Sequence, residues 1–232
     1  MRVAASSVRI VSLLFPNVTQ LDLTGPAQVF SRLPGVEQHF VWHRIEPVPT
    51  DAGFAIVPTT TFDDAPPADV LFVPGGQGAF DLFDDDVALD FIRRQAADAR
   101  YVTSVCTGSF ALAAAGLLAG RRATSHWGSL ALLHRFGAIP TAERVVRDGN
   151  IITGAGVSSG IDFALTLAAE LYGDDVAKRA QLAIEYDPQP PFDAGSPRRP
   201  DADPGQVART LSEMERLRGP AVAKAVERLE AG

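Results

Sequence analysis

The sequence predicts an α/β protein: a three-layer α/β/α sandwich built on a mostly parallel central sheet. Three features point there. Short, almost wholly apolar runs (Val8–Phe15, Val70–Val73, Tyr101–Val105) have the continuous pattern of strands buried on both faces. Helical stretches separate them, as parallel connections require. Small-residue turns follow several of the runs, at the sheet edge where such folds bind ligands.

Val8–Phe15 reads as the first strand, and Pro16-Asn17 ends it. Val18–Pro26 leads to a short helix predicted over Ala27–Leu33, with Pro26 suited to its first turn. Within that lead Asp22 stands between Leu21 and Leu23, where an unpaired carboxylate is costly if buried. Taken alone it reads as a turn or capping residue. Residues 39–48 alternate loosely and read as a strand, with Ala55–Val57 as a hairpin partner. His39 and His43 have no ligand or nucleophile near them in sequence and read as structural.

Asp69–Val73 runs straight into Pro74-Gly75-Gly76-Gln77-Gly78. Glycines there permit close backbone approach. The turn is neither a phosphate loop nor a Gly-x-Gly-x-x-Gly fingerprint. Asp84–Ala99 reads as a helix with acidic residues in its first turn.

Tyr101–Val105 and the Ala/Leu-rich Phe110–Leu118 meet at Cys106, the single cysteine of the chain. A lone cysteine in an apolar stretch is ordinarily a small buried hydrophobe. Here Cys106-Thr107-Gly108-Ser109 forms the junction of strand and helix, as in the nucleophile elbow of serine hydrolases. Free N–H groups and the helix dipole at such a junction favour a thiolate.

Beyond Gly120, His126-Trp127 precedes a helix predicted over Ser129–Phe136; by type His126 reads as structural. Val145-Val146 and Asn150–Thr153 form a hairpin about Arg147-Asp148-Gly149. The small-residue turn Gly154–Gly160 follows, then helices over Ile161–Tyr172 and Asp174–Glu185. Residues 1–186 read as one domain. Six prolines in 187–204 mark a surface excursion. Val207–Leu229 is a charged amphipathic helix expected to pack on the body or on a dimer partner.

Composition excludes several classes. At 232 residues with 46% hydrophobic content the chain suits a substantial core. A net charge of −7 argues against nucleic acid as a partner. No run reaches the roughly 18 apolar residues of a membrane span, and the N-terminus, broken by Arg9, does not read as a signal peptide. One cysteine permits no intramolecular disulfide, which fits the cytoplasm. No Cys/His cluster suggests a metal centre.

Asp22, Gly75-Gly76, Cys106 and Gly154–Val157 all follow predicted strand ends, so the topology brings them to one crevice. The expected catalytic residues are Cys106, Asp22 and Thr107. Gly75, Gly76, Gln77, Val157 and His126 are the expected substrate-facing or charge-stabilising positions.

Val105–Ser109 and Val73–Gly76 resemble the ThiJ/PfpI superfamily, whose fold is like that of the class I glutamine amidotransferases. Leu14–Pro26, Tyr101–Ser109, Gly120–Thr124, His126-Trp127, Glu143–Asn150, Gly160–Glu170 and Pro190–Pro197 are similar to the isonitrile hydratases within it. The resemblance spans nearly the whole chain. It implies a flavodoxin-like sandwich, a homodimer, and hydration of a small apolar isonitrile to a formamide without metal or organic cofactor. It assigns Cys106 as nucleophile with Asp22 and Thr107 as polar partners. Many superfamily members carry Glu where Asp22 stands and His or Ala where Thr107 stands. No Cys-His pair of the amidase and protease branches is present, so amide hydrolysis is not expected. Related hydratases read Gly-Gly-Gly-Ile where this chain has Gly154-Ala155-Gly156-Val157; the extra methyl of Ala155 is expected to alter rate more than reaction. Two other readings carry the same fold: a redox- or stress-sensing protein, and the ligand-sensing relative of AraC-type regulators. Residues 187–232 are too few for the double helix-turn-helix of the latter.

Overall fold

A computed structural model describes residues 7–231. Residues 1–6, on which the reading against a signal peptide partly rests, lie outside them. The chain runs β1 (Val8–Leu13), α1 (Gln20–Phe30), β2 (Val36–Trp42), β3 (Val48–Pro49), β4 (Ala55–Ile56), β5 (Thr60–Thr61) and β6 (Val70–Val73). Then come α2 (Gly78–Asp81), α3 (Asp86–Asp98), β7 (Tyr101–Val105), α4 (Gly108–Ala114) and β8 (Arg122–Ala123). After the 3₁₀ helix Leu130–Phe136 come β9 (Ile139–Pro140), β10 (Val145–Asp148) and β11 (Ile151–Gly154). The helices α5 (Ser159–Tyr172), α6 (Asp174–Ala183) and α7 (Pro204–Ala231) complete it.

Seven strands form the central sheet in the order β10-β11-β7-β6-β1-β2-β5. Every neighbouring pair is parallel except β10 with β11. The five strands β2-β1-β6-β7-β11 have the flavodoxin order, which reverses direction of winding between β1 and β6. Ligands of such sheets bind beyond the C-terminal strand ends at that reversal.

Every residue of β6 and β7 is buried, so both sheet faces are covered. Helices α1, α5 and α6 pack together on one face; α2, α3, α4 and α7 pack together on the other. Phe30, Phe72 and Phe163 join α1, β6 and α5 in one aromatic cluster. Phe80, Phe83, Phe110 and Phe136 form a second in the opposite layer.

Several elements differ from the sequence reading, among them α4, which runs Gly108–Ala114 where the sequence predicts Phe110–Leu118. Helix α1 begins at Gln20, so Pro26 lies inside it and not in its first turn. Burial of Leu23, Val29 and Phe30 outweighs the hydrogen bond that Pro26 removes. The strand expected over 39–48 ends at Trp42, and Val48 pairs instead with Ile56 in the small hairpin. Leu130–Phe136 winds as 3₁₀, closed by Gly137 at φ 73°. Helix α7 extends the predicted span at both ends. It buries Gly219, Val222 and Ala225 against the body. Lys224 and Arg228 pair with Asp84, and Arg135 with Glu215.

Candidate active site

The loops after β1, β6, β7 and β11 meet at the C-terminal edge of the sheet, beside the winding reversal. Cys106 follows β7 directly and adopts φ 55°, a left-handed conformation that costs a non-glycine residue energy. It persists because its surroundings over-determine it. The Cys106 N–H donates to the carbonyls of Gly154 and Ala155, and its carbonyl accepts the hydroxyls of Ser109 and Ser125. Thus the segment after β11 and the 125–129 turn both hold the elbow. A Cβ on Gly108 would collide with the carbonyls of Val73 and Pro74, so only glycine lets the chain leave the elbow under the end of β6.

Asp22 reaches the site from the first turn of α1 and is wholly buried. Its Oδ2 accepts the Gly75 N–H at 3.0 Å. Its Oδ1 is buried with no hydrogen-bond partner among the described residues, and the carboxyl faces the Cys106 thiol. Burial pushes its pKa up to about 7 against the Gly75 N–H and the thiol, which pull it down; the Asp51 charge pushes the same way as burial. The flanking leucines do not both enclose Asp22. Only Leu23 is buried, and Leu21 is 38% exposed. Residues adjacent in a helix point apart, so the enclosure of Asp22 comes from the loops packed on α1.

Burial also drives the Cys106 thiol well above its usual range, and the Asp22 charge adds to this. The Thr107 N–H at the sulfur and the charge of Arg218 oppose it. The expectation that the elbow favours a thiolate is therefore corrected: the helix it caps is short, and desolvation outweighs the backbone donor. Asp22 and Cys106 form a coupled pair that shares its protons.

Gly75 holds the two together. A Cβ there would lie 2.6 Å from Asp22 Oδ2, 2.6 Å from the Thr107 nitrogen and 2.8 Å from Cys106 Cβ. Three groups of the site thus converge on one bare Cα. Gly75→Ala is expected to lower turnover at least about 100-fold by displacing them, and to destabilise the fold by about 1–3 kcal/mol. Initial rates and urea unfolding midpoints measure the two effects.

The remaining expected positions are placed unequally. The Thr107 hydroxyl accepts the Gly76 N–H and donates to the Gly76 carbonyl, each at 2.9 Å. That exchange corrects two expectations. The Gly76 N–H is taken and does not face a developing charge. The Thr107 proton is committed to a carbonyl, so the hydroxyl fixes the glycine turn, and Thr107 serves the sulfur through its backbone N–H. Gln77 is exposed and makes no side-chain hydrogen bond among the described residues. Val157 is half-buried beside the Gly154-Ala155 carbonyls that hold Cys106. His126 is half-buried. A Cβ on Gly156 would stand 3.2 Å from its Cδ2. Its Nδ1 accepts the Gly128 N–H, and burial, then the Arg218 charge, lower its pKa. It is a neutral imidazole with the proton on Nε2.

Arg218 is the site residue that sequence reasoning missed. It comes from α7, stacks its guanidinium 4.8 Å from the Phe80 ring centroid, and donates from Nη1 to Ser129 Oγ at 2.6 Å. The available signal was its place on the apolar stripe of α7, in register with Met214, Val222 and Ala225.

Among the described residues no group of three or more His, Cys, Asp or Glu is arranged to hold a metal ion. No helix there is long and apolar enough to cross a membrane. The donors in the site are one thiol, one carboxyl and backbone N–H groups, a set suited to nucleophilic addition with proton transfer.

Residues 8–170 match the DJ-1/PfpI family model. The chain is 59% identical over 191 residues to isonitrile hydratase of Pseudomonas putida, spanning 82% of this chain and 84% of that protein. It is 30% identical over 182 residues to protein DJ-1alpha of Drosophila melanogaster, covering 77% and 84% of the two chains. Among solved structures, a ThiJ/PfpI family protein from Pseudomonas syringae superposes with TM-score 0.90 at 45% identity, covering 95% of this chain and 91% of that one.

Proposed function

Because the chain belongs to the DJ-1/PfpI family, we propose that its buried cysteine–carboxyl pair hydrates isonitriles, R–N≡C, to N-substituted formamides, R–NH–CHO. The observation that carries this reading is the convergence of Asp22, Cys106 and the Thr107 N–H on Gly75. The name of the Pseudomonas putida relative supports the choice of substrate.

The chemistry follows from the pair. The reactive form has the thiolate at Cys106 and the proton on Asp22. Sulfur adds to the terminal isonitrile carbon while Asp22 delivers its proton to that carbon, giving a thioimidate, Cys106-S–CH=N–R. The Asp22 carboxylate then takes a proton from water as its oxygen adds to the same carbon. That proton passes to nitrogen. Collapse of the adduct expels the thiolate, the hydroxyl proton returns to Asp22, and the formamide leaves. The free Oδ1 of Asp22 is the position from which both transfers are made.

Shape supports the substrate class. Cys106 is only 5% exposed. A linear isonitrile presents its reactive carbon at the tip of a thin rod, so it needs a narrower path than a planar amide. On this reading the enzyme acts in the cytoplasm as a homodimer. The domain over 1–186 carries the reaction, and α7 buttresses it.

Purified protein incubated with para-nitrophenyl isocyanide is expected to release para-nitroformanilide, followed by absorbance and identified by mass. Release of para-nitroaniline, or no product from a protein whose thiol still titrates, would overturn the proposal.

A further inference from the structure

We infer that Arg144 is a positioning residue of the reaction: it pins the turn 155–158 against which the Cys106 backbone is held, and so keeps the thiol at Asp22. The inference rests on Cys106 as the nucleophile proposed above.

That turn gives the elbow its shortest backbone support. The Cys106 N–H donates to the Ala155 carbonyl at 2.7 Å and to the Gly154 carbonyl at 3.0 Å. Gly154 ends β11 and is fixed by the sheet. Ala155 lies beyond the strand, in the run Ala155-Gly156-Val157-Ser158. None of these four residues is fully buried, so core packing does not hold the run in place. Yet Cys106, at φ 55°, keeps its left-handed conformation only while its neighbours hold it there.

Arg144 grips the run at both ends. Its carbonyl accepts the Ala155 N–H at 2.9 Å, so the residue that accepts from Cys106 donates to Arg144. Its guanidinium donates from Nη2 to the Ser158 carbonyl at 3.1 Å and from Nε to Asp162 Oδ2 at 2.6 Å. Asp162 stands in the first turn of α5 and also accepts the Tyr186 hydroxyl at 2.9 Å, which fixes the carboxylate that the guanidinium holds. The planar fork of arginine suits this double task, since it bonds a carboxylate and a carbonyl in set directions. The residue before it ties in the other side of the elbow. The Glu143 carbonyl accepts the hydroxyl of Thr124, and the neighbouring Ser125 donates its hydroxyl to the Cys106 carbonyl at 2.9 Å. Residues 143–144 thus bridge the segment that holds the Cys106 N–H and the segment that holds its carbonyl. Without the guanidinium the Ser158 end of the run is released, the Ala155 carbonyl loses its set position, and the elbow relaxes. The thiol then leaves its line to Asp22, where a shift of about 1 Å costs about 100-fold in rate.

The test pairs kinetics with hydrogen exchange in Arg144→Gln, Asp162→Asn and the double variant, with thermal melting as the check on folding. Arg144→Gln is expected to lower kcat with an aryl isonitrile at least about tenfold while KM stays within about threefold, because the chemical step and not entry is disturbed. The Ala155 and Cys106 amides are expected to exchange at least about tenfold faster, while those of β1, two strands from β7, keep their native rates. Asp162→Asn is expected to act in the same direction, and the double variant to be no worse than Arg144→Gln alone, since the two side chains form one clamp. An unchanged kcat in folded Arg144→Gln would overturn the inference. So would a fall in kcat with native exchange at Ala155 and Cys106, or a rise in exchange shared by the whole sheet, the mark of a merely structural role. If Arg144→Gln does not fold, Asp162→Asn, which leaves the bond from Arg144 to Ser158 available, decides by the same readouts. Exchange needs no substrate. Absence of formamide from the native protein would therefore count against the proposed reaction and not against Arg144, and exchange at the two amides alone would then uphold or overturn the clamp.

Discussion

Cys106→Ser is expected to abolish isonitrile turnover, lowering the rate at least about 10⁴-fold, as loss of a covalent nucleophile does. The substitution is nearly isosteric, and the elbow is held by backbone hydrogen bonds that it leaves intact. The fold and the position of Asp22 should therefore persist. The loss comes from the nucleophile itself. A serine hydroxyl ionises far above any thiol, and neither Asp22, with a pKa of about 7, nor the Thr107 N–H can close that gap. Steady-state rates with an aryl isonitrile measure the loss. Intact mass supplies the second readout: native protein quenched in acid during turnover should carry a thioimidate heavier by one substrate, and Cys106→Ser should carry none. A serine variant retaining a hundredth of native turnover would show that water attacks the isonitrile directly and would remove Cys106 from the covalent step.

The place of Cys106, at an elbow between a buried strand and a helix, was legible in the sequence for a physical reason. A strand buried on both faces is written as a mostly apolar run, and Tyr101–Val105 is followed at once by Cys106-Thr107-Gly108-Ser109, small residues that suit a tight turn into a helix. The parallel strands and the crevice they define were readable on the same ground. The start of α1 was not, because Pro26 marks a helix N-terminus by local preference, whereas Leu23 and the packing on α5 set it by burial far away in sequence. Nor was the bonding of Thr107. A hydroxyl one residue after the nucleophile reads as a catalytic donor, but the path of the β6 loop gives it a carbonyl to satisfy. Arg218 lay furthest from view. Its helix is separated from the domain by a proline-rich stretch, and periodicity assigns a charge on such a helix to solvent unless it falls on the apolar stripe, as this one does.

Asp22→Asn carries the second large effect, and it separates the cost of the carboxyl from its use. Folding lifts the Asp22 pKa from its ordinary 3.8 to about 7, chiefly by burial. A raised carboxyl is at its most favourable when protonated in both states, below about pH 4. Its contribution is then lost as pH rises through about 7, because the native state must either hold a proton that solvent no longer supplies or bury a charge. Native protein should therefore lose about 3–4 kcal/mol relative to Asp22→Asn between pH 4 and pH 8. Other titrating groups are common to both proteins and drop out of the difference. Urea unfolding at the two pH values measures it. Asparagine keeps an oxygen to accept the Gly75 N–H, so the local geometry survives. It has no proton to give carbon and no base for water, so turnover should fall at least about 1,000-fold, within the range of general acid–base catalysis. The native enzyme should show kcat/KM rising through about pH 7 as the pair sheds its first proton. In Asp22→Asn that limb should vanish from whatever activity remains. A variant that gained stability at pH 8 while keeping native turnover would leave Asp22 as a structural carboxyl and move the proton transfers to solvent. A variant that lost turnover with no pH-dependent gain would mean that the native carboxyl is already ionised at pH 4, and the thiolate would then have no acid beside it. Only the joint result, stability gained and catalysis lost, fits a site in which one buried proton is both the energetic cost of the native state and the first reagent of the reaction.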